Sequence, residues 1–128
     1  MCVRISHGRI DSGPSRRAHT TFTGGVHQDT VLENRPAVAV NDVFFEPGGR
    51  TYWHSHANGQ VLIVKAGQGF VGTRRDAAQP LRPGDVVYAD PGEEHWHGAG
   101  SDTFLLHTAI SLGTTTWLEE VADIPASA

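Results

Sequence analysis

Turn signals recur along this chain at intervals too short for long helices. Pro47-Gly48-Gly49, Asn58-Gly59, Gly67-Gln68-Gly69, Pro83-Gly84 and Pro91-Gly92 punctuate it, and each combines residues that favour tight reversals. Between and around them lie short apolar runs: Val38 to Phe45, Gln60 to Val64, Asp85 to Ala89 and Thr103 to Ser111. Runs of this length bounded by turns read as strands. Thr20 to Thr23 is a shorter candidate, and Asn58-Gly59 is the strongest hairpin signal. Trp117 to Val121 reads equally as one turn of helix or a last strand. With 15 glycines and 7 prolines in 128 residues, the pattern predicts an all-β, single-domain barrel or sandwich. Residues 1–20 are polar and read as an arm with one short strand at most, ahead of a barrel over 21–128.

Several function classes drop out on charge and composition. The formal charge is −4 and no basic run occurs, so neither nucleic acid nor an anionic membrane is an expected partner. Arg16-Arg17 and Arg74-Arg75 read as solvated loop pairs. No apolar segment approaches the ~20 residues of a membrane span, and the N-terminal residues lack the apolar stretch of a signal peptide. A cytoplasmic protein is expected. Cys2 is the only cysteine; it has no disulfide partner in the chain, and its terminal place argues against catalysis.

Two segments carry chemistry. In Gly48-Gly49-Arg50-Thr51-Tyr52-Trp53-His54-Ser55-His56-Ala57-Asn58-Gly59-Gln60, His54 and His56 stand two apart and leave one face of an extended strand. They can therefore reach one ion together, with Gln60 just past the turn. Gly84 to His95 supplies another histidine, after Pro91-Gly92. A third pattern misleads. Gly67-Gln68-Gly69-Phe70-Val71-Gly72 matches the dinucleotide fingerprint G-x-G-x-x-G, but no helical period follows it. A turn between strands is the better reading.

Together the two segments resemble the motifs of the cupin family. The first motif runs Gly, five residues, His-x-His, three or four residues, Glu, six residues, Gly. Gly48, His54, His56, Gln60 and Gly67 fit it, with Gln in the place of Glu. The second runs Gly, five residues, Pro-x-Gly, two residues, His. Gly84, Gly92 and His95 fit, while Asp90 replaces the first Pro and Ala99 the closing Asn. The resemblance spans about residues 38–111, with motifs at 48–67 and 84–99. A closer similarity runs through Pro91-Gly92-Glu93-Glu94-His95-Trp96-His97-Gly98-Ala99 and His107 to small single-domain bacterial cupins that include manganese-dependent hydroxynitrile lyases.

The resemblance implies a double-stranded β-helix, or jelly roll, holding one divalent metal per chain. His54, His56, Gln60 and His95 would be the ligands and His107 a catalytic base. Manganese leads, with Fe, Ni, Co and Zn as alternatives. It also implies a homodimer, in which the arm could pair across the interface and cover an exposed strand edge. The expected activity is a lyase breaking a C–C bond in a small hydroxylated substrate, of the hydroxynitrile lyase or retro-aldol type. The alternatives are an Fe- or Mn-dependent dioxygenase and a non-catalytic module that binds a metal and a small ligand.

The residues support this chemistry directly. Three imidazoles and one amide oxygen suit a divalent first-row ion and leave its charge undiminished, which favours an anionic substrate or product. On a strand His107 shares a face with Leu105 and Ala109, where burial and a nearby cation lower its pKa and leave it free to accept a proton. His97, Val40, Val43 and Tyr52 are expected beside the ligands or along the pocket. His7, His19 and His27 read as surface residues, and Glu93 and Glu94 as solvated turn charges. Trp53 and Trp96 flank the ligand positions on the opposite face, while Phe44, Leu62, Val64 and Leu105 are core or pocket walls.

Overall fold

A computed structural model describes residues 3–11, 13–32 and 35–122. Cys2 lies outside the described residues. The strands are β1 (Phe22–Thr23), β2 (Val26–Leu32), β3 (Val38–Phe45), β4 (Arg50–Thr51), β5 (His54–His56), β6 (Gln60–Gly67), β7 (Gly69–Thr73), β8 (Gln79–Leu81), β9 (Val86–Ala89), β10 (His95–Ala99), β11 (Leu105–Leu112) and β12 (Thr115–Trp117). The described residues contain no helix, and so none long and apolar enough to cross a membrane.

All strand pairs are antiparallel. One sheet runs β2-β3-β11-β6-β9; the other runs β1-β4-β10-β5-β12, with β7 along the far side of β10 and β8 beyond it. The inner faces of the two sheets meet. Val43, Phe45, Leu62, Val64, Leu105 and Ala109 from the first pack with Leu81 and Ala99 from the second. Each such large side chain stabilises the fold by about 1.5–3 kcal/mol relative to leaving it in water. Phe70, Trp96 and Val121 form a second core with Trp53 on the outer side of the second sheet. Trp96 and Trp53 thus lie on the face opposite the histidines, as their sequence positions imply.

Register arranges the first sheet's inner face in rows across β3, β11 and β6. Phe45 stands beside Leu105; then come Val43-His107-Val64, Asn41-Ala109-Leu62 and Ala39-Ser111-Gln60. The interior is therefore apolar at the Phe45 end and becomes polar toward Gln60. That gradient places the site at one end of the barrel.

Several parts of the chain differ from the sequence reading. Gly67-Gln68-Gly69-Phe70-Val71-Gly72, read as a turn, reverses only around Gln68, because Gly69 onward pairs as β7 with β10 and with β8, itself not among the expected strands. β2 carries His27, Gln28, Asp29 and Thr30 in its middle, so no apolar alternation announced it. It is held by β3 and by the arm, whose Ala18 N–H donates to the Val26 carbonyl and whose Arg16 carbonyl accepts from Gln28 N–H. The arm thus lies along β2 of its own chain. Trp117 to Val121 is not helical: β12 ends at Trp117, and the Leu118 N–H donates to the Trp53 carbonyl.

The turn from β6 to β7 depends on Gly67, which has φ +78°, a region that side chains oppose. A Cβ there would stand 2.0 Å from the Phe104 carbonyl oxygen. Gly67→Ala is expected to cost at least the ~1–3 kcal/mol of such backbone strain. Urea denaturation measures it, and an unchanged midpoint would show that this turn is not a fixed point of the fold.

Candidate metal centre

Six polar side chains converge between the sheets. β5 contributes His54 and His56, and β10 contributes His95 and His97, since alternate residues of a strand share a face. Across from them β6 contributes Gln60 and β11 contributes His107. All six are buried. Pairing of β5 with β10 sets His54 directly beside His95, with ring centroids 4.4 Å apart. The His56 ring lies 5.0 Å from that of His54 and 5.6 Å from that of His95. Donor atoms of His54, His95 and His97 all lie within 4.8 Å of one another.

Hydrogen bonds on the outer nitrogens decide which atoms face inward. His54 Nδ1–H donates to the Tyr52 carbonyl at 2.8 Å, and His95 Nδ1–H to the Glu93 carbonyl at 2.9 Å. Both rings therefore present a bare Nε2 to the interior. His56 Nδ1 is 3.0 Å from the Thr115 hydroxyl, and its Nε2 is buried with no partner. Gln60 Nε2 donates to Ser111 Oγ at 2.9 Å, which aims Oε1 inward, 2.9 Å from His95 Nε2. With His95 neutral, two lone pairs face each other across that gap. A cation relieves the repulsion, so the donor set fits a divalent metal.

His97 and His107 form a pair at the back of this group. His107 Nε2 and His97 Nδ1 are 2.9 Å apart, while His97 Nε2 and His107 Nδ1 have no partner. His107 is 0% exposed and rests against Phe45, at 5.2 Å between ring centroids.

A cavity of about 410 Å3 opens onto the site. His54, His56, Gln60 and His97 reach its wall; His107 does not, because His97 stands in front of it. Val43 lines the cavity, but Val40 does not: three residues from Val43, it belongs to the opposite face of β3. Tyr52 contributes its carbonyl to His54 and is not part of the wall. Of the expected core or pocket residues, Leu62, Val64 and Leu105 lie in the core, whereas Phe44 faces outward and stacks on Phe104.

The structure adds residues that the sequence did not single out. Asn41, Ala109 and Ser111 line the cavity by parity with Val43 and His107, a signal that strand alternation offered. Thr51, Thr115, Phe22 and Trp117 come from short strands with no periodicity to read. Phe22 and Trp117 stand 5.6 Å apart, and Trp117 lies over His54 at 4.7 Å. His19 is exposed but contributes to the cavity rim. His27 is half-buried, 3.2 Å from Glu46, and His7 is exposed. Outside, Arg74 bridges Glu94 and Glu119 and covers Trp53 at 3.9 Å, which braces the loop leading to His95.

Burial governs the charge of the whole group. It is the main cause holding His54 and His97 well below the ordinary imidazole value of 6.5, with neighbouring histidines adding to the effect. Burial also lowers His95. His56 falls to about 4 through burial and the nearby His95, and His107 to about 4 through burial. All five imidazoles are neutral at pH 7, and no carboxylate lines the cavity.

Known proteins are similar to this chain in sequence and fold. The cupin domain profile matches residues 41–108. An (R)-mandelonitrile lyase from Granulicella tundricola is 44% identical over 108 residues, covering 80% of this chain and 82% of that one. A cupin-like protein from Thermotoga maritima superposes with a TM-score of 0.81 at 39% identity, covering 88% of this chain and 92% of that one. A predicted oxalate decarboxylase from the same organism superposes at 0.70 with 21% identity, covering 89% and 100%; at that identity the likeness is one of fold.

The depressed values fix a pH dependence. Unfolded, these histidines protonate near 6.5; folded, His56 and His107 do so only near 4. Between those values the unfolded chain binds more protons, so stability is full above about 6.5 and is lost as pH falls toward 4. The urea midpoint of chelator-treated protein is expected to drop across that window. A flat midpoint from pH 7 to 4 would contradict the buried, neutral state of the group.

Proposed function

This chain belongs to the cupin family, and we propose that within it the protein is a metal-dependent lyase that breaks a C–C bond next to a hydroxyl group, of the hydroxynitrile lyase type. The observation that carries this reading is the donor set: buried imidazoles and one amide oxygen, none of them charged, of which His54, His56 and Gln60 reach the wall of a cavity. The 44% identity to a protein named (R)-mandelonitrile lyase supports the same reading.

His54, His56, Gln60 and His95 would hold the ion, with manganese as the leading candidate because a hard amide oxygen suits it. A divalent ion in this neutral cage supplies Lewis acidity and an undiminished positive charge that favours an anionic product such as cyanide.

The chain's own residues do the rest. His97 lines the cavity, and its buried, unpartnered Nε2 would accept the substrate's hydroxyl proton. Its Nδ1–H meanwhile donates to His107 Nε2, which stabilises the imidazolium that forms and can take that proton on. His107, expected as the base itself, thus acts through His97. The C–C electron pair leaves with the anion, the former hydroxyl carbon becomes a carbonyl, and the proton returns to the anion. Phe22 and Trp117 line the cavity, which suits an aryl cyanohydrin like the one in the relative's name. A cavity of about 410 Å3 is ample for such a small substrate.

Elemental analysis tests the cage first. About one divalent ion per chain is expected in purified protein and its loss in His54→Ala; protein that stays metal-free after reconstitution would overturn the reading. Cleavage of mandelonitrile must also proceed without oxygen. Oxygen consumed in step with substrate would make the protein a dioxygenase instead.

The histidine pair makes a separate prediction. His107→Ala and His97→Ala should each keep the metal and lose about 10²–10⁴ in kcat. Loss of metal in His97→Ala would place that residue among the ligands, and full activity in His107→Ala would remove it from the reaction.

A further inference from the structure

Asn41 is a buried polar side chain that neither the fold nor the histidine group uses. It is 7% exposed and lines the cavity from β3. Its side-chain amide makes no hydrogen bond to any of the described residues. Such a group carries two N–H donors and an oxygen acceptor, and burying it unbonded costs free energy. Native interiors pair nearly all such groups, so this one fits a partner that arrives from outside the chain. Gln28 of β2 lines the cavity with a second unbonded amide, but it is only half-buried and solvent can serve it.

Register sets where the Asn41 side chain stands. On the inner face it pairs with Ala109 of β11, one row from Val43-His107 and one row from Ala39-Ser111. Ala109 offers only a methyl group there, and both residues line the cavity. His107 Nε2 is 2.9 Å from His97 Nδ1, so Asn41 occupies the row beside the histidine pair. The two are chemically complementary. With its Nδ1–H given to His107, His97 has a bare, unpartnered Nε2 that accepts from an O–H group of a ligand. The oxygen of that O–H group then needs a donor, which neither histidine supplies. Asn41 Nδ2–H supplies one.

We propose that Asn41 is a substrate-binding residue whose side-chain N–H donates to the hydroxyl oxygen of the bound molecule, the oxygen that becomes the carbonyl when the C–C bond breaks. The hydrogen bond strengthens as the proton moves to His97 and the oxygen gathers charge. The electron pair left on oxygen closes the carbonyl, and the amide keeps its bond to the product. Assigning this oxygen to a cleaved alcohol rests on the lyase reading above; the binding site itself does not. Among the described residues neither Lys nor Arg lines the cavity. A carboxylate held at Asn41 would therefore lack a counter-charge from the chain, and an uncharged oxygen is the match. With Phe22 and Trp117 on the same wall, the ligand class is an aryl carbinol or its aryl carbonyl product.

Titration calorimetry with two ligands of similar shape tests the bond without turnover. Benzaldehyde carries an oxygen that only accepts; toluene carries none. Asn41→Leu keeps the volume and removes the donor. It should weaken benzaldehyde about 10-fold and leave toluene unchanged. Asn41→Gln keeps the amide and should lose less than Asn41→Leu. In Asn41→Leu, kcat/KM for mandelonitrile should fall by at least the same factor, mainly in kcat, with metal content and far-UV circular dichroism unchanged. Equal weakening of both ligands would make Asn41 a wall of the cavity and nothing more, and would overturn the inference. So would an unchanged benzaldehyde affinity in Asn41→Leu, equal losses in Asn41→Leu and Asn41→Gln, or a wild-type protein that does not bind benzaldehyde. Selective loss of benzaldehyde in a protein that cleaves no cyanohydrin would sink the lyase reading and leave the Asn41 site standing.

Discussion

Uncharged imidazole is the group on which this interior depends. Five histidines share the space between the two sheets, and burial holds each of them below the ordinary imidazole value. A neutral imidazole has one N–H and one bare nitrogen. For His54 and His95 the backbone takes the N–H, through the Tyr52 and Glu93 carbonyls. What remains includes two lone pairs that face each other, on His95 Nε2 and Gln60 Oε1, a costly arrangement for buried groups. A bound cation would relieve it. The pH dependence of stability and the proposed chemistry would then trace to the same atoms.

Much of this was legible because strand alternation is a rigid rule. Two residues apart means one face, so the sequence alone pairs His54 with His56, His95 with His97, and His107 with Ala109. The same rule separates Val40 from Val43, which the sequence reading had grouped, and it would have found Asn41 and Ser111. Other parts were not legible for a physical reason. β2 is polar through its middle because its neighbours, the arm and the cavity, ask for polar groups. Phe22, Thr51, Thr115 and Trp117 sit on strands of two or three residues, too short for any period to show. Their place in the site comes entirely from long-range pairing.

The His97-His107 contact shows what sequence order conceals. Both residues were visible as inward candidates, yet nothing in the chain says which stands in front. The answer lies in the barrel's gradient. His107 occupies a row between Val43 and Val64 and touches Phe45, on the apolar side. His97 reaches past it from the opposite sheet to the cavity wall. Each residue's role follows from the row it occupies.

The pairing of β5 with β12 has a consequence in time. His54 and His56 sit on a strand of three residues, flanked by β10 on one side and β12 on the other. The bond from His56 to Thr115 closes a loop of 59 residues. Such distant contacts form slowly, because the chain must surrender loop entropy before they reward it. During synthesis His54 and His56 emerge long before the strand that fixes them. The donor cage is thus slow to assemble, and it is complete only when the chain has been made as far as Thr115.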